Sequence, residues 1–442
     1  MIFNFVIYEI MKYMKIALLG YDIENAAAYR YLKDKYSGAQ FTIYDQRKDP
    51  ARDLPEDVEF LGDVEDFKNI EADISVRTPG IALDKIQVSG EVTTVTKLFF
   101  EACEAPIIGV TGTKGKGTTC TLIAKMLEAS GKKVWLVGNI GKPSLDILSQ
   151  VQKDDIVVYE LSSFQLWDVE QSPQTAVVLL VEPDHLNVHS SMEDYVGAKA
   201  NIAKHQKPSD NIIYHPTNPE SAKIAQFSSG KKQRYCAPEG AYIEDGNIII
   251  ADQTICSVSD VGLLGEHNLE NICAAVTASW HYTQDVTAIK KAIVEFKGLP
   301  HHTQKVRELD GVSYYDDSFS SAPAATVAAI KSFAQPEVVI IGGSERNAAF
   351  DSLIKAIIQQ KNIKKIIFMG ETAKSLSELC ESVGESRYEV DKTNDFSKVI
   401  SRAKALAEPG DVVLLSPGCP SFDMFNNFTH RGEEFARIVS EL

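Results

Sequence analysis

Short apolar runs recur along this chain, and most of them end at Gly, Pro or an acidic residue. In the first half the clearest are KIALLG (15–20), QFTIYD (40–45), DISVRTPG (73–80), PIIGVTG (106–112), KKVWLVG (132–138), DIVVYELSS (155–163) and TAVVLLVEPDH (175–185). Helical or irregular segments separate them. Strands buried on both faces read as continuous apolar runs, and their alternation with helices predicts parallel sheets with crossover connections. The pattern breaks near Cys103–Pro106 and again at the Gly-Leu-Pro of 298–300. Between 240 and 258, GAYIEDGNIIIADQTICSV predicts a small antiparallel insert turning at Asp245-Gly246. GVSYYDD, EVVIIGG, KKIIFMG and DVVLLSPG then resume the alternation from 303 onward. The expected fold class is α/β in three domains, with boundaries at 1–104, 105–300 and 301–442.

The chain has 442 residues, enough for two to four domains, and is 44% hydrophobic, which supplies real cores. A formal net charge of −16 argues against nonspecific binding to nucleic acid or anionic membrane. Seven Cys dispersed from Cys103 to Cys419 do not form a disulfide framework and suit a reducing cytoplasm. No run reaches the roughly 18 apolar residues of a membrane span. In the opening segment Glu9, Lys12 and Lys15 interrupt a signal-peptide reading. Residues 1–14 are read as an extension ahead of a start at Met11 or Met14.

The sharpest chemical signal is Gly109-Val-Thr-Gly112-Thr113-Lys114-Gly115-Lys116-Gly117-Thr118-Thr119, which follows a strand and opens a helix. Glycines let successive backbone N–H groups converge on phosphate oxygens, the helix start adds positive potential, and Lys116 can reach the β- and γ-phosphates. ATP is the expected ligand. Gly117 stands where such loops usually carry Ser or Thr. Thr118 is therefore the first candidate for the Mg²⁺-side hydroxyl, with Thr119 as the alternative.

Glu160 ends DIVVYE, so its carboxylate emerges at the carboxyl edge of a parallel sheet, where such folds bind ligands. An acid there can hold Mg²⁺. Asp184 and His185 end the run TAVVLLVEP in the same way. Lys199, in YVGAKANIAKHQ, has Ile202 and Ala203 at i+3 and i+4 and so leans toward an apolar stripe. Two readings stay open: a snorkelling lysine, or a desolvated amine of lowered pKa that captures CO₂ as a carbamate.

Taken together, these segments resemble the Mur ligase family, in particular its D-glutamate-adding type, over essentially the whole chain from about residue 15. The blocks are SVRTPGIAL (75–83), GVTGTKGKGTT (109–119), VGNIGKPSL (137–145), ELSSFQL (160–166), DHLNVH (184–189), AKANI (198–202), LLGEHNLEN (263–271), GLPH (298–301), DDSFSSAP (316–323) and LLSPGCPSFDMFNNFTHRGEEFA (414–436). The resemblance implies a Rossmann-like uridine-nucleotide domain, a central P-loop ATPase and a Rossmann-like C-terminal glutamate domain. It implies that the carboxylate of UDP-N-acetylmuramoyl-L-alanine attacks the γ-phosphate of ATP, and that D-glutamate then attacks the acyl phosphate. It further implies two Mg²⁺ ions, a monomer, and a cytoplasmic role in cell-wall synthesis.

By the same resemblance Lys116, Thr118 and Gly112–Thr119 serve ATP, and Glu160 binds the first Mg²⁺. Lys199 matches a carbamylated lysine, and His185 a ligand of the second Mg²⁺. Asn139, Ser162 and His185 match acceptor-binding positions, and Asp45 with Gln46 and Arg47 is placed to meet the nucleotide. Asn268, Asn271, His302 and Asp317 match ATP positions. Ser321, Arg346, Ser421 and Phe428 match the glutamate pocket, where a guanidinium suits a carboxylate. Read without the family, Asn139, Ser162, Asn268, Asn271, Asp317, Ser321 and Ser421 are equally caps of helices or turns. Phe428 then reads as a core aromatic.

Four departures stand out. Phe319 replaces a cationic or polar residue. His302 replaces an Arg after GLPH, with Lys305 or Arg307 as candidate substitutes. Gly117 resembles folylpolyglutamate synthases, an enzymatic rival reading beside an L-glutamate ligase. The segment GYDIENAAAYRYL has one Gly where a glycine-rich loop is expected. A nucleotide-binding regulator without ligase activity is the rival of another class.

Overall fold

The computed structural model describes residues 14–50, 52–186, 188–263, 265–345 and 349–442. It resolves into two compact units, one reaching Val261 and including Glu266–Glu295, the other made of Gly262–Gly265 and Phe296–Leu442.

The first unit holds two all-parallel sheets. The N-terminal one runs Val58–Leu61, Gln40–Tyr44, Lys15–Leu19, Ile74–Arg77, Glu91–Thr93 in spatial order. The central one runs Lys231–Arg234, Asn211–Tyr214, Thr175–Val178, Ile107–Thr111, Ile156–Glu160, Val134–Gly138. Ile107–Thr111 and Ile156–Glu160 are buried at every position. Their apolar runs are continuous because helices cover both faces. One apolar core joins the two sheets, from Ile16 and Phe41 through Phe99 and Tyr159 to Tyr195 and Ile202.

The insert at 240–258 forms three antiparallel strands, Tyr242–Glu244, Asn247–Ile250 and Gln253–Ser257. Asp245 and Gly246 both take positive φ (48° and 73°), the geometry of a two-residue hairpin turn.

The second unit is a six-stranded sheet in the order Gln304–Leu309, Val312–Asp316, Val412–Leu415, Glu337–Gly342, Ile363–Met369, Tyr388–Val390. It adds a strand that the apolar pattern does not mark, Gln304–Leu309, which pairs antiparallel with its neighbour through a turn at Asp310 and Gly311 (φ 53° and 78°). The reason is local, since a two-residue turn joins only antiparallel strands.

Two expectations are corrected. TAVVLLVEP is not one strand. Pairing ends at Val178, and Leu179 and Leu180 instead bond to the backbone of Thr111 and Thr113 at the departing glycine loop. YVGAKANIAKHQ is likewise two short helices, Met192–Lys199 and Asn201–Lys204, meeting at Ala200.

Candidate active site

The strand Ile107–Thr111 runs through Gly112–Gly115 into the helix Lys116–Ala129. Gly115 sits at φ 83°, and a Cβ there would strike the Asn271 side chain, so only glycine fits. Asn271 donates to Asn268 Oδ1 at 3.2 Å, and both lie on the helix Glu266–Trp280. They form a polar pair behind the loop. Thr113 Oγ1 donates to the Glu182 carbonyl at 3.0 Å and lies 3.1 Å from Tyr195 Oη, which ties the loop to the next two segments. Lys114 is exposed, Gly117 and Thr118 are half-buried, and Thr119 is buried with an unpartnered Oγ1. Of the two threonines, Thr118 is the more exposed.

Lys116 Nζ curls back to the carbonyls of Gly112 and Thr113, at 3.1 and 2.9 Å. Burial lowers its pKa, while Glu160 and Asp184 pull it back up. Glu160 ends its strand as expected, 6% exposed, with Oε2 lacking any partner. Burial raises its pKa against the opposing charge of Lys116 and a hydrogen bond from Asn139. Asn139 is an exposed loop residue after Gly138, whose φ of 114° lets the chain pass close to the Glu160 backbone.

For Lys199 the snorkelling reading is excluded, since the residue is 1% exposed. Its Nζ donates to the Gly112 carbonyl at 2.9 Å, lies 3.5 Å from Thr111 Oγ1, and sits 4.6 Å from the centre of the Tyr195 ring. Burial first, and then the like charge of Lys116, push its pKa well below the ordinary lysine value; Asp184 opposes them. Asp184 thus influences both lysines, a role sequence reasoning did not single out.

Asp184 and His185 stand on the loop beyond the shortened strand, not at its tip. His185 takes φ 54°, a conformation that costs a non-glycine residue on the order of 1–3 kcal/mol. Its ring lies 4.9 Å from that of Phe164, and its Nε2 lies 3.5 Å from Asp184 Oδ2. Four residues on, His189 is buried, stacked on Phe164 at 5.3 Å, with Nε2 3.0 Å from Ser163 Oγ and Nδ1 3.4 Å from Asp194. Burial lowers its pKa. His189 anchors the loop that carries His185. The block DHLNVH contained it, but nothing in the sequence distinguished an anchor from a ligand.

Ser162 is a helix cap: its Oγ accepts from Gln165 N, and Gln165 Oε1 accepts from Ser162 N, a reciprocal capping box. Asp45 is buried with both oxygens engaged, accepting from Tyr21 N and from Arg47 N, Nε and Nη2. It holds Arg47, whose side chain is 47% exposed, rather than offering a free acceptor. At the start of the helix Ile23–Lys35, Asp22 fills the cap and accepts from Glu24 N and Asn25 N. A glycine-rich loop would have left these donors to a ligand.

The second unit carries its own set. Asp317 is buried and accepts from Thr303 N and Oγ1 and from Ser416 Oγ; burial raises its carboxyl to about 6. It does not cap the helix beginning at Pro323, whose cap is Ala322. The His302 ring stacks on Phe319 at 3.9 Å. Neither proposed substitute is free to replace its missing charge: Lys305 pairs with Glu308, and Arg307 donates to the carbonyls of Val439 and Ser440. Ser321, Ser421 and Phe428 line one cavity of about 300 Å³ with Ser344, Phe350 and Cys419. Ser321 Oγ donates to the Phe319 carbonyl, and Ser421 is held in a turn through its backbone carbonyl. Phe428 is half-buried at the first position of its helix, and its carbonyl accepts from Ser318 Oγ. Arg346 lies outside the described residues.

Among the described residues no group of three or more His, Cys, Asp or Glu stands ready to hold a metal. The donor chemistry near the loop still fits a hard cation: Glu160 offers a buried, unpartnered carboxylate oxygen. Mg²⁺ binds through one or two carboxylates and completes its shell with water and substrate phosphate.

The Mur ligase middle domain matches residues 110–279, and the Mur ligase glutamate ligase domain matches 303–419. The chain is 34% identical to the UDP-N-acetylmuramoylalanine–D-glutamate ligase of Acetivibrio thermocellus, over 98% of this chain and 97% of that one. It is 33% identical to the enzyme of the same name from Clostridium kluyveri, over 98% of each. Among solved structures, MurF of Acinetobacter baumannii shares the fold at 15% identity, with a TM-score of 0.62 over 96% of this chain and 93% of that one. The chain belongs to the Mur ligases, in the UDP-N-acetylmuramoylalanine–D-glutamate ligase family.

Proposed function

We propose that this chain is an ATP-dependent acid–amino-acid ligase that joins D-glutamate to UDP-N-acetylmuramoyl-L-alanine in peptidoglycan precursor synthesis. One observation carries the reading: two buried amines, Lys116 and Lys199, converge on the Gly112 carbonyl of a phosphate loop, within the electrostatic reach of Glu160 and Asp184.

Residues 1–104 receive the acceptor's uridine nucleotide, 105–300 the ATP, and 301–442 the D-glutamate. The backbone donors of Gly112–Thr119 cradle the phosphates, with Asn268 and Asn271 behind them. Lys116 exchanges its two loop carbonyls for phosphate oxygens and neutralises charge that builds on the γ-phosphoryl group. Asn139, Ser162 and His185 orient the acceptor, whose carboxylate oxygen attacks the γ-phosphorus as the bond to ADP breaks. The amine of D-glutamate then attacks the acyl carbon; phosphate leaves with the C–O bonding pair and the nitrogen loses a proton. Ser321, Arg346, Ser421 and Phe428 hold that amino acid, and His302 and Asp317 belong to the nucleotide side. The work is mostly positioning and charge neutralisation.

Glu160, Thr118 and His185 are the residues to hold Mg²⁺, which supplies charge screening for the crowded anions. A neutral Lys199 amine suits CO₂ capture: the N–C bond forms as one C=O π bond opens, a proton leaves the nitrogen, and the resulting anionic carbamate would offer oxygen donors to a second ion. The enzyme acts in the cytoplasm as a monomer.

Phosphate release with UDP-N-acetylmuramoyl-L-alanine and either glutamate enantiomer, with product mass, tests the reading. Only the D-glutamate arm should release phosphate and yield the amide. A folate acceptor that turns over faster would assign the chain to the polyglutamate-adding relatives. ATP binding without phosphate release in any arm would make it a binding module.

A further inference from the structure

The short helix Ser163–Leu166 begins directly behind Glu160 and presents the capping Ser162. Two side chains from the N-terminal sheet region grip it. Glu24, at the start of the helix Ile23–Lys35, accepts from Gln165 Nε2 at 2.7 Å. Gln165 itself is buried, and its Oε1 accepts from Ser162 N and Oγ at 3.0 and 3.2 Å. The amide is thereby oriented: its NH₂ faces the carboxylate and its oxygen faces the serine. Arg77, at the end of the strand Ile74–Arg77, is completely buried. One of its nitrogens donates to the carbonyls of Pro79 and Ile81, at 2.9 and 3.0 Å. Another reaches Asp168 Oδ1 at 2.8 Å and the Phe164 carbonyl at 3.4 Å.

We propose that Glu24 and Arg77 are positioning residues for the acceptor, acting from the N-terminal sheet through Gln165 and Phe164 to fix where Ser162 stands. The inference rests on the acceptor role proposed for Ser162. Neither grip is needed for the helix to form, because the capping box between Ser162 and Gln165 is complete without Glu24. A buried guanidinium paired with Asp168 on the central-sheet side, and reaching the Phe164 carbonyl, ties two elements that the chain places 87 residues apart. The capping box holds the Gln165 Oε1 and the Glu24 carboxylate holds the NH₂ on its other side, so the amide is anchored at both ends. Misplacing a substrate-positioning group by a fraction of an ångström weakens binding and alignment without touching the reacting atoms.

The test is steady-state kinetics of Glu24→Ala and Glu24→Gln on the full chain, with hydrogen exchange of the 162–166 amides. Glu24→Ala should raise the acceptor KM about tenfold, leave the KM values of ATP and D-glutamate unchanged, lower kcat less, and speed exchange at 162–166. Glu24→Gln keeps an acceptor for Gln165 and should restore both readouts. An unchanged acceptor KM in Glu24→Ala, or an equal rise in all three KM values, overturns the proposal. If the parent itself shows no turnover of this acceptor, the ligase assignment falls, and exchange alone decides the clamp. Unaltered exchange at 162–166 in Glu24→Ala then overturns it.

Discussion

Two fully buried cations, one in each unit, show how differently a protein can treat the same charge. Among the described residues, Lys199 has a carbonyl, a distant hydroxyl and an aromatic ring as neighbours, with no carboxylate in hydrogen-bond reach. Arg431 has four acceptors: Ser318 Oγ and O and the carbonyls of Cys419 and Pro420, at 2.9 to 3.3 Å. Burial pushes the lysine well below its ordinary value and brings the arginine only to about 10. The arginine therefore stays charged and serves as a bolt between 318 and 419–420. The lysine is held where losing its proton is favoured, an arrangement that suits chemistry and contributes little to holding the fold.

The sharpest way to break the comparison is at the lysines. Lys116→Ala should lower phosphate release about 10³-fold in a coupled assay, since it removes a charged donor to the transferring group. Release at the parental rate would remove the phosphate loop from the mechanism. Lys199→Arg keeps a cation but cannot discharge or add CO₂, so activity should fall about 10²-fold. In ¹³C-bicarbonate the parent should show a carbamate carbon signal by NMR that this variant lacks. A fully active Lys199→Arg would make the amine merely structural.

Arg431→Met tests the other side. It strands the acceptors at Ser318, Cys419 and Pro420 and should cost about 3 kcal/mol or more in denaturant unfolding of the second unit. A loss below about 1 kcal/mol would show that water replaces the bolt.

An effect confined to high pH concerns a buried acid in the same unit. Glu337 is fully buried, bonds only Asn362 through Oε1, and has its carboxyl pushed up to about 8 from 4.5. A raised carboxyl pKa favours folding of the protonated form. That contribution is complete below 4.5 and is lost as pH rises to about 8. Glu337→Gln should remove this loss, leaving the variant up to about 4 kcal/mol more stable than the parent at pH 9 relative to pH 5. Parallel stability curves for the two proteins would refute the shift.

The alternation of apolar runs with helices made the α/β class legible, because burial on both faces of a parallel sheet demands continuous apolar strands. The phosphate loop was legible as well, because glycine spacing, the preceding strand and the following helix are all local features. Glu160 followed from its place at a strand end. The end of the strand at Val178 was not legible. Apolar residues continue to Val181, and only the departing loop at Gly112 draws the backbone of Leu179 and Leu180 out of the sheet.

The kind of fold, the phosphate loop and the family blocks were all readable along the chain, since these depend on spacing among neighbouring residues. The tertiary structure alone decided that Lys199 is buried rather than snorkelling, that Asp45 is satisfied from within, and that Glu24 meets Gln165 across 141 positions. It also decided that Ser321 shares a cavity with Ser421 and Phe428. Periodicity says which face of an element turns inward, but burial and partnership depend on which distant segment arrives there.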